Sequence, residues 1–160
     1  MPVHQLLEWL DEQQIPYATV QQPTLSALDS HGSAPTPAQA VAKTIPIKLN
    51  GQLALAVLPA SDRLELKRLG AAAGVGRVDL ASEREVQTRY PWSEVGALPP
   101  FGQLCGLPVW VAERLAKSKE IAFAAGTPTT LIRMAYRDFE RVLVTPRVAD
   151  FSSSQAAAEA

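Results

Sequence analysis

The residue pattern predicts an α+β fold: a single domain with a mixed, mostly antiparallel β-sheet surrounded by helices. Three observations carry that expectation. Val3, Leu6, Leu7 and Leu10 recur at the spacing of one helical face. Two apolar runs, residues 44–49 and 53–58, flank Asn50-Gly51, a pair that tolerates the positive φ angles of a type I′ hairpin turn. Beyond a Pro/Gly-rich loop at residues 96–102, short apolar runs at 108–111, 120–124 and 130–134 read as further strands.

Taken in order, the first helix is expected over residues 3–14, because Pro16 stops the helical pattern. Residues 17–20 suit a short strand. Gln22-Pro23 leads into a loop or short helix that ends in the Ser/Gly/Pro-rich stretch 30–37, and residues 38–42 suit one more helical turn. After the hairpin, Ser61-Asp62 can cap a helix carrying Leu64, Leu66 and Leu69, which the small residues of 70–76 close. Ser82 and Glu85 stand at capping-box spacing for a helix to about residue 89, ended by Pro91. Residues 137–141 read as helix and 142–145 as a last strand. The tail, 152–160, offers little burial to offset ordering entropy and is expected to be disordered, leaving residues 1–151 as the one domain.

Composition sets the class. Apolar residues make up 47% and charged residues 19% of the 160, a globular balance without the high net charge of disordered chains. The single cysteine, Cys105, excludes an intramolecular disulfide and leaves a thiolate metal cluster short of ligands, which points to a reducing compartment. The N-terminus lacks a basic region followed by an apolar one, and no apolar run approaches the roughly 20 residues a membrane span needs. The expected location is therefore the cytoplasm, without membrane contact. A formal net charge of −1 argues against a protein that grips long stretches of nucleic acid. DNA is not an expected partner, and any RNA contact should be local.

Common catalytic and cofactor signatures are absent: there is no P-loop, dinucleotide fingerprint, His-Glu-x-x-His or Gly-x-Ser-x-Gly elbow. His4 and His31, the only histidines, fall in segments that read as exposed, so neither a metal nor a cofactor is expected. Cys105 has no neighbouring base in sequence and reads as a half-buried structural thiol. Two features remain. Lys43 opens an apolar strand, where it is either a solvated surface charge or a cation aimed along the sheet edge into a cleft. The segment Gly96-Ala97-Leu98-Pro99-Pro100-Phe101-Gly102 sets two prolines between glycines, which makes either a stiff connector or a binding loop with unclaimed backbone groups.

Ala42-Lys43-Thr44, Leu55-Ala56-Val57-Leu58-Pro59-Ala60, the 95–102 segment, Ala125-Gly126-Thr127 and Leu131-Ile132-Arg133-Met134 together resemble the YbaK/ProX family. That family is related to the editing domain inserted in bacterial prolyl-tRNA synthetases. The resemblance runs in order over about residues 3–151. It implies an aminoacyl-tRNA deacylase acting in trans, which hydrolyses the ester joining a small mismatched amino acid to the terminal adenosine. Lys43 would help hold the substrate's 3′ end and, with Gly96, form the catalytic pair. Backbone groups of Gly96, Ala97, Leu98, Pro99 and Pro100 would position the ester and the attacking water, with the ribose hydroxyl assisting. Ser26, Leu28, Thr44, Phe101, Gly126 and Thr127 would complete the binding surface. The implied partners are the tRNA acceptor end and an aminoacyl-tRNA synthetase. The chain departs from the family pattern at Gln22, Ala124 and Pro128, where relatives often carry His, a polar residue and His, so the resemblance does not carry the amino-acid specificity.

Such a scheme suits a chain without an evident nucleophile, since positioning and electrostatic stabilisation supply much of the acceleration for an activated ester. Its need is physical as well. A synthetase pocket separates amino acids differing by one methylene by only about 1–3 kcal/mol, so a second site that destroys wrong products raises fidelity. Two rival readings stand beside it: a non-catalytic aminoacyl-, nucleotide- or protein-binding module on the same fold, and a hydrolase of some other small ester.

Overall fold

The computed structural model describes residues 2–21, 41–88, 98–102, 106–124, 130–143 and 146–154. Its elements run α1 (Pro2–Glu12), β1 (Ala18–Gln21), β2 (Ala42–Leu49), β3 (Gln52–Pro59), β4 (Asp62–Leu64), α2 (Leu66–Ala73), β5 (Val78–Leu80), α3 (Glu83–Gln87), β6 (Val109–Ala112), α4 (Glu113–Ala116), β7 (Glu120–Ala124), β8 (Thr130–Ala135), α5 (Tyr136–Leu143), β9 (Arg147–Ala149) and β10 (Ser152–Ser154).

The β2–β3 hairpin is the centre of the fold. Asn50 and Gly51 take φ of 50° and 85°, the positive pair a type I′ turn demands, and the strands pair without a bulge from Leu49↔Gln52 to Ala42↔Pro59. A five-stranded sheet grows from it in the order β5-β2-β3-β6-β9, antiparallel except for the parallel β3–β6 and β6–β9 pairs. Both of its faces are covered, which is why residues 53–58 form an unbroken apolar run rather than an alternating one. Leu55 and Val57 enter one core with Val109 and Val111, whereas Ala54, Ala56 and Leu58 enter a second with Ile47, Leu69, Trp110 and Phe151.

A three-stranded antiparallel sheet, β1-β8-β7, closes over the first core together with α1 and α5. Helix α1 contributes Leu6 and Leu10, both buried, from its one apolar face. Phe101 lies at the hub of this core. Its ring centroid is 5.2 Å from those of Trp9 and Phe123, both in edge-on arrangement, and 5.8 Å from that of Phe139. The next residue must be glycine for want of space: a Cβ on Gly102 would stand 2.3 Å from the Leu107 carbonyl oxygen and 2.6 Å from Val109 Cγ2. Gly102→Ala is therefore expected to lower stability by about 1–3 kcal/mol through overpacking, read as a reduced urea midpoint at unchanged slope.

Several local expectations hold, and others are corrected. The capping box at Ser82 is formed, its hydroxyl accepting from the Glu85 amide while the Glu85 carboxylate accepts from the Ser82 amide. Lys48 and that backbone amide hold the Glu85 carboxyl below the usual carboxylate range. Residues 41–42 are strand rather than a helical turn, since Val41 bridges Ala122 and Ala42 opens β2. Asp62 caps no helix. Residues 62–64 form β4, and α2 starts only after Glu65, ending at Gly74 in the left-handed conformation with φ of 69°. Helix α4 and strand β5 are additions, and Val142 and Leu143 complete α5 instead of starting a strand. The expected tail boundary moves: residues 152–154 form β10, paired antiparallel with β4, and Ser152 is buried. Among the described residues no helix is long and apolar enough to cross a membrane.

Candidate functional site

The sheet ends place the candidate site. At one end of the three-stranded sheet Gln21 pairs with Thr130, and Ala124 pairs with Leu131. Val41 packs against Ala124 and Leu131, with Val20 and Ala60 partly buried beside them, and the Ala60 amide donates to the Val41 carbonyl at 2.6 Å. The described chain therefore leaves at Gln21 and re-enters at Val41, and leaves at Ala124 and re-enters at Thr130, all around one small apolar cluster. Between those ends run the segments that carry Ser26, Leu28, Gly126 and Thr127, four candidate residues that lie outside the described residues, as do Gly96 and Ala97.

Lys43 stands two residues along β2 from this cluster. It is half-buried, and its ammonium donates to the main-chain carbonyl of Asp62 at 2.6 Å. Successive strand residues point to opposite faces. Lys43 lies opposite Leu58 and shares its face with the second core; Thr44 lies opposite Val57 and faces the first. The Lys-Thr pair is thus not one contact surface.

The described part of the candidate loop is buried: Leu98, Pro99, Pro100, Phe101 and Gly102 all lie inside. The Leu98 and Phe101 side chains join the first core, on the Thr44 side of the sheet. Phe101, expected in the binding surface, is fully buried in this core, where it packs against the rings of Trp9, Phe123 and Phe139 and anchors the loop. Residues 98–102 are thus packed into the body of the domain and anchor the described end of the loop.

Patterning missed the polar cluster behind Lys43. Asp62 is fully buried, and its carboxylate accepts from Arg114 Nε at 2.5 Å and Nη2 at 3.2 Å and from Ser152 Oγ at 2.9 Å. The Arg114 side chain remains 44% exposed, so a surface arm reaches over a buried acid. Next to it the Glu65 amide donates to the Phe151 carbonyl at 2.7 Å, and Ser153 and Arg63 hold the Glu65 carboxyl below its ordinary range. No local signal marks these partners: 52 residues separate Asp62 from Arg114 and 90 separate it from Ser152.

Among the described residues no group of three or more His, Cys, Asp or Glu side chains is placed to hold a metal ion. His31, Cys105, Gln22 and Pro128 lie outside the described residues, whereas Ala124 is buried at the end of β7. A groove of about 470 Å³ lined by Leu49, Leu53, Leu107 and Pro108 opens at the hairpin turn, the end of β2 opposite Lys43. The arrangement at the Lys43 end offers a fixed cation beside the ends of two connecting segments, suited to holding an anionic or oxygen-rich group.

A family model for the aminoacyl-tRNA editing domain matches residues 21–142, from the end of β1 almost to the end of α5. Solved structures share the fold. A candidate trans-editing enzyme for prolyl tRNA synthetase superposes with a TM-score of 0.79 at 20% identity, covering 96% of this chain and 98% of its own. The hypothetical protein APE2540 gives 0.78 at 21% identity, covering 92% and 99%. A candidate signal transduction protein from Marinobacter aquaeolei VT8 gives 0.71 at 18% identity over 90% of this chain and only 29% of that longer one. No curated protein matches the sequence significantly.

Proposed function

Because the chain belongs to the aminoacyl-tRNA editing domain family, we propose that it is a trans-acting deacylase that removes a small, wrongly attached amino acid from tRNA. Water adds to the ester carbonyl carbon, the bond from that carbon to the ribose oxygen breaks, and free amino acid and a tRNA with its terminal hydroxyl restored leave. In this reading Lys43 anchors the 3′ end. Backbone groups of the loop beginning at Gly96 orient the ester and the water, and the neighbouring ribose hydroxyl assists, with Ser26, Leu28, Gly126 and Thr127 forming the amino-acid wall. The protein works in the cytoplasm beside an aminoacyl-tRNA synthetase and needs no metal or cofactor.

The observation that supports the reading most is the family match over 21–142, which takes in Lys43 and both segments that depart around the Val41 cluster. The modest net charge fits a grip confined to the acceptor end. Purified protein is tested against a panel of mischarged tRNAs, with binding and amino-acid release followed in parallel. Release from at least one small-amino-acid tRNA supports the proposal; tight binding without release on every member would replace it with the binding-module reading.

A further inference from the structure

Lys43 is held by a group whose own place is set by two distant side chains. Its ammonium donates to the Asp62 carbonyl, and Asp62 belongs to a strand of three residues. So short a strand has little to fix it. Here its backbone pairs with β10, and its carboxylate is gripped at two points by Arg114 and at a third by Ser152. A buried carboxylate needs such partners, yet in other proteins apolar side chains of similar volume often replace buried ion pairs at no loss of stability. What the ionic cluster adds is direction: the bidentate guanidinium admits one orientation of the carboxylate.

We propose that Asp62, clamped by Arg114 and Ser152, is a positioning residue for Lys43. The clamp fixes the main-chain carbonyl that receives the ammonium, and the cation therefore stands at one place near the Val41 cluster. The catalytic consequence rests on the deacylase reading; the holding of Lys43 does not.

The test uses the full chain with Arg114→Lys, which keeps the charge balance but cannot reproduce the two-point grip. The first readout is the rate at which an amine-reactive ester labels Lys43, followed by peptide mass spectrometry. Lys48, ion-paired to Glu85 further along β2, serves as internal control. Lys43 labelling is expected to rise several-fold while Lys48 is unchanged. Equal Lys43 rates in a folded variant would overturn the proposal.

The second readout is deacylation. A misplaced anchor is expected to reduce turnover roughly ten- to a hundred-fold. That loss is expected only together with the rise in Lys43 labelling, since the clamp acts through the lysine. A roughly ten-fold loss of turnover with Lys43 labelling unchanged would overturn the positioning role. If Arg114→Lys does not fold, Ser152→Ala removes a single hydroxyl and is read by the same two measurements, with the same directions expected. A wild-type protein that releases no amino acid defeats the deacylase reading alone, and the labelling rates still decide whether the clamp holds Lys43.

Discussion

Lys43→Ala is expected to reduce amino-acid release from a mischarged tRNA to the rate without enzyme, while the protein stays folded. The two halves of that result have separate physical grounds. On the stability side, the substitution removes the hydrogen bond from the ammonium to the Asp62 carbonyl at a half-buried position near the start of β2. A charged hydrogen bond of this kind contributes about 1.5–3 kcal/mol, less than the 5–15 kcal/mol typical of a folded domain. Circular dichroism and thermal melting check that half. On the activity side, the proposed reaction draws on Lys43 as the cation that anchors the substrate's 3′ end. Retained turnover in a folded Lys43→Ala protein would remove Lys43 from the site.

Arg114→Ala carries the largest expected effect on stability, about 3–5 kcal/mol by urea denaturation at neutral pH, because it leaves a fully buried carboxylate without its cation. That is enough to bring a domain of ordinary stability close to unfolding. The asymmetry of the pair matters. Asp62 is fully enclosed, whereas Arg114 is 44% exposed and can turn back to water. Removing the arginine should therefore cost more than removing the acid, and Asp62→Ala measured beside it should show the smaller loss. A loss below about 1 kcal/mol for Arg114→Ala, the range of an exposed ion pair, would mean that water reaches the carboxylate in solution.

What could be read from the sequence was local. The Asn50-Gly51 turn, the runs that flank it and the Ser82–Glu85 capping box are each decided by residues within a few positions of one another, and the structure forms all three. Helix α1 followed from one apolar stripe. The errors lie where a partner far along the chain decides. Ser61-Asp62 has the chemistry of a helix cap, but Arg114 and Ser152 claim the carboxylate and β10 claims the backbone, so a strand forms instead. Residues 152–154 carry no bulky apolar side chain and read as tail; hydrogen bonds of Ser152 to Asp62 and Ser153 to Glu65 tie them down.

The candidate site divides in the same way. Family motifs identified Lys43 and the Gly96 loop, and the family itself is established by the match over residues 21–142. Motifs do not report which way a side chain points. Strand alternation sends Lys43 and Thr44 to opposite faces, and the ring cluster takes Phe101 into the core. Asp62 follows one motif by two residues, but Arg114 and Ser152, which grip it, are neighbours of none, and only the fold brings them to it.

The proposed function stands on cleavage of an aminoacyl ester by this chain. A single-turnover time course, with enzyme in excess over a tRNA carrying a small mismatched amino acid, tests it most directly. Free amino acid is expected to appear well above the uncatalysed rate, while the same tRNA carrying its correct amino acid is left intact. Acceleration of neither, with the complex demonstrably formed, would contradict the account.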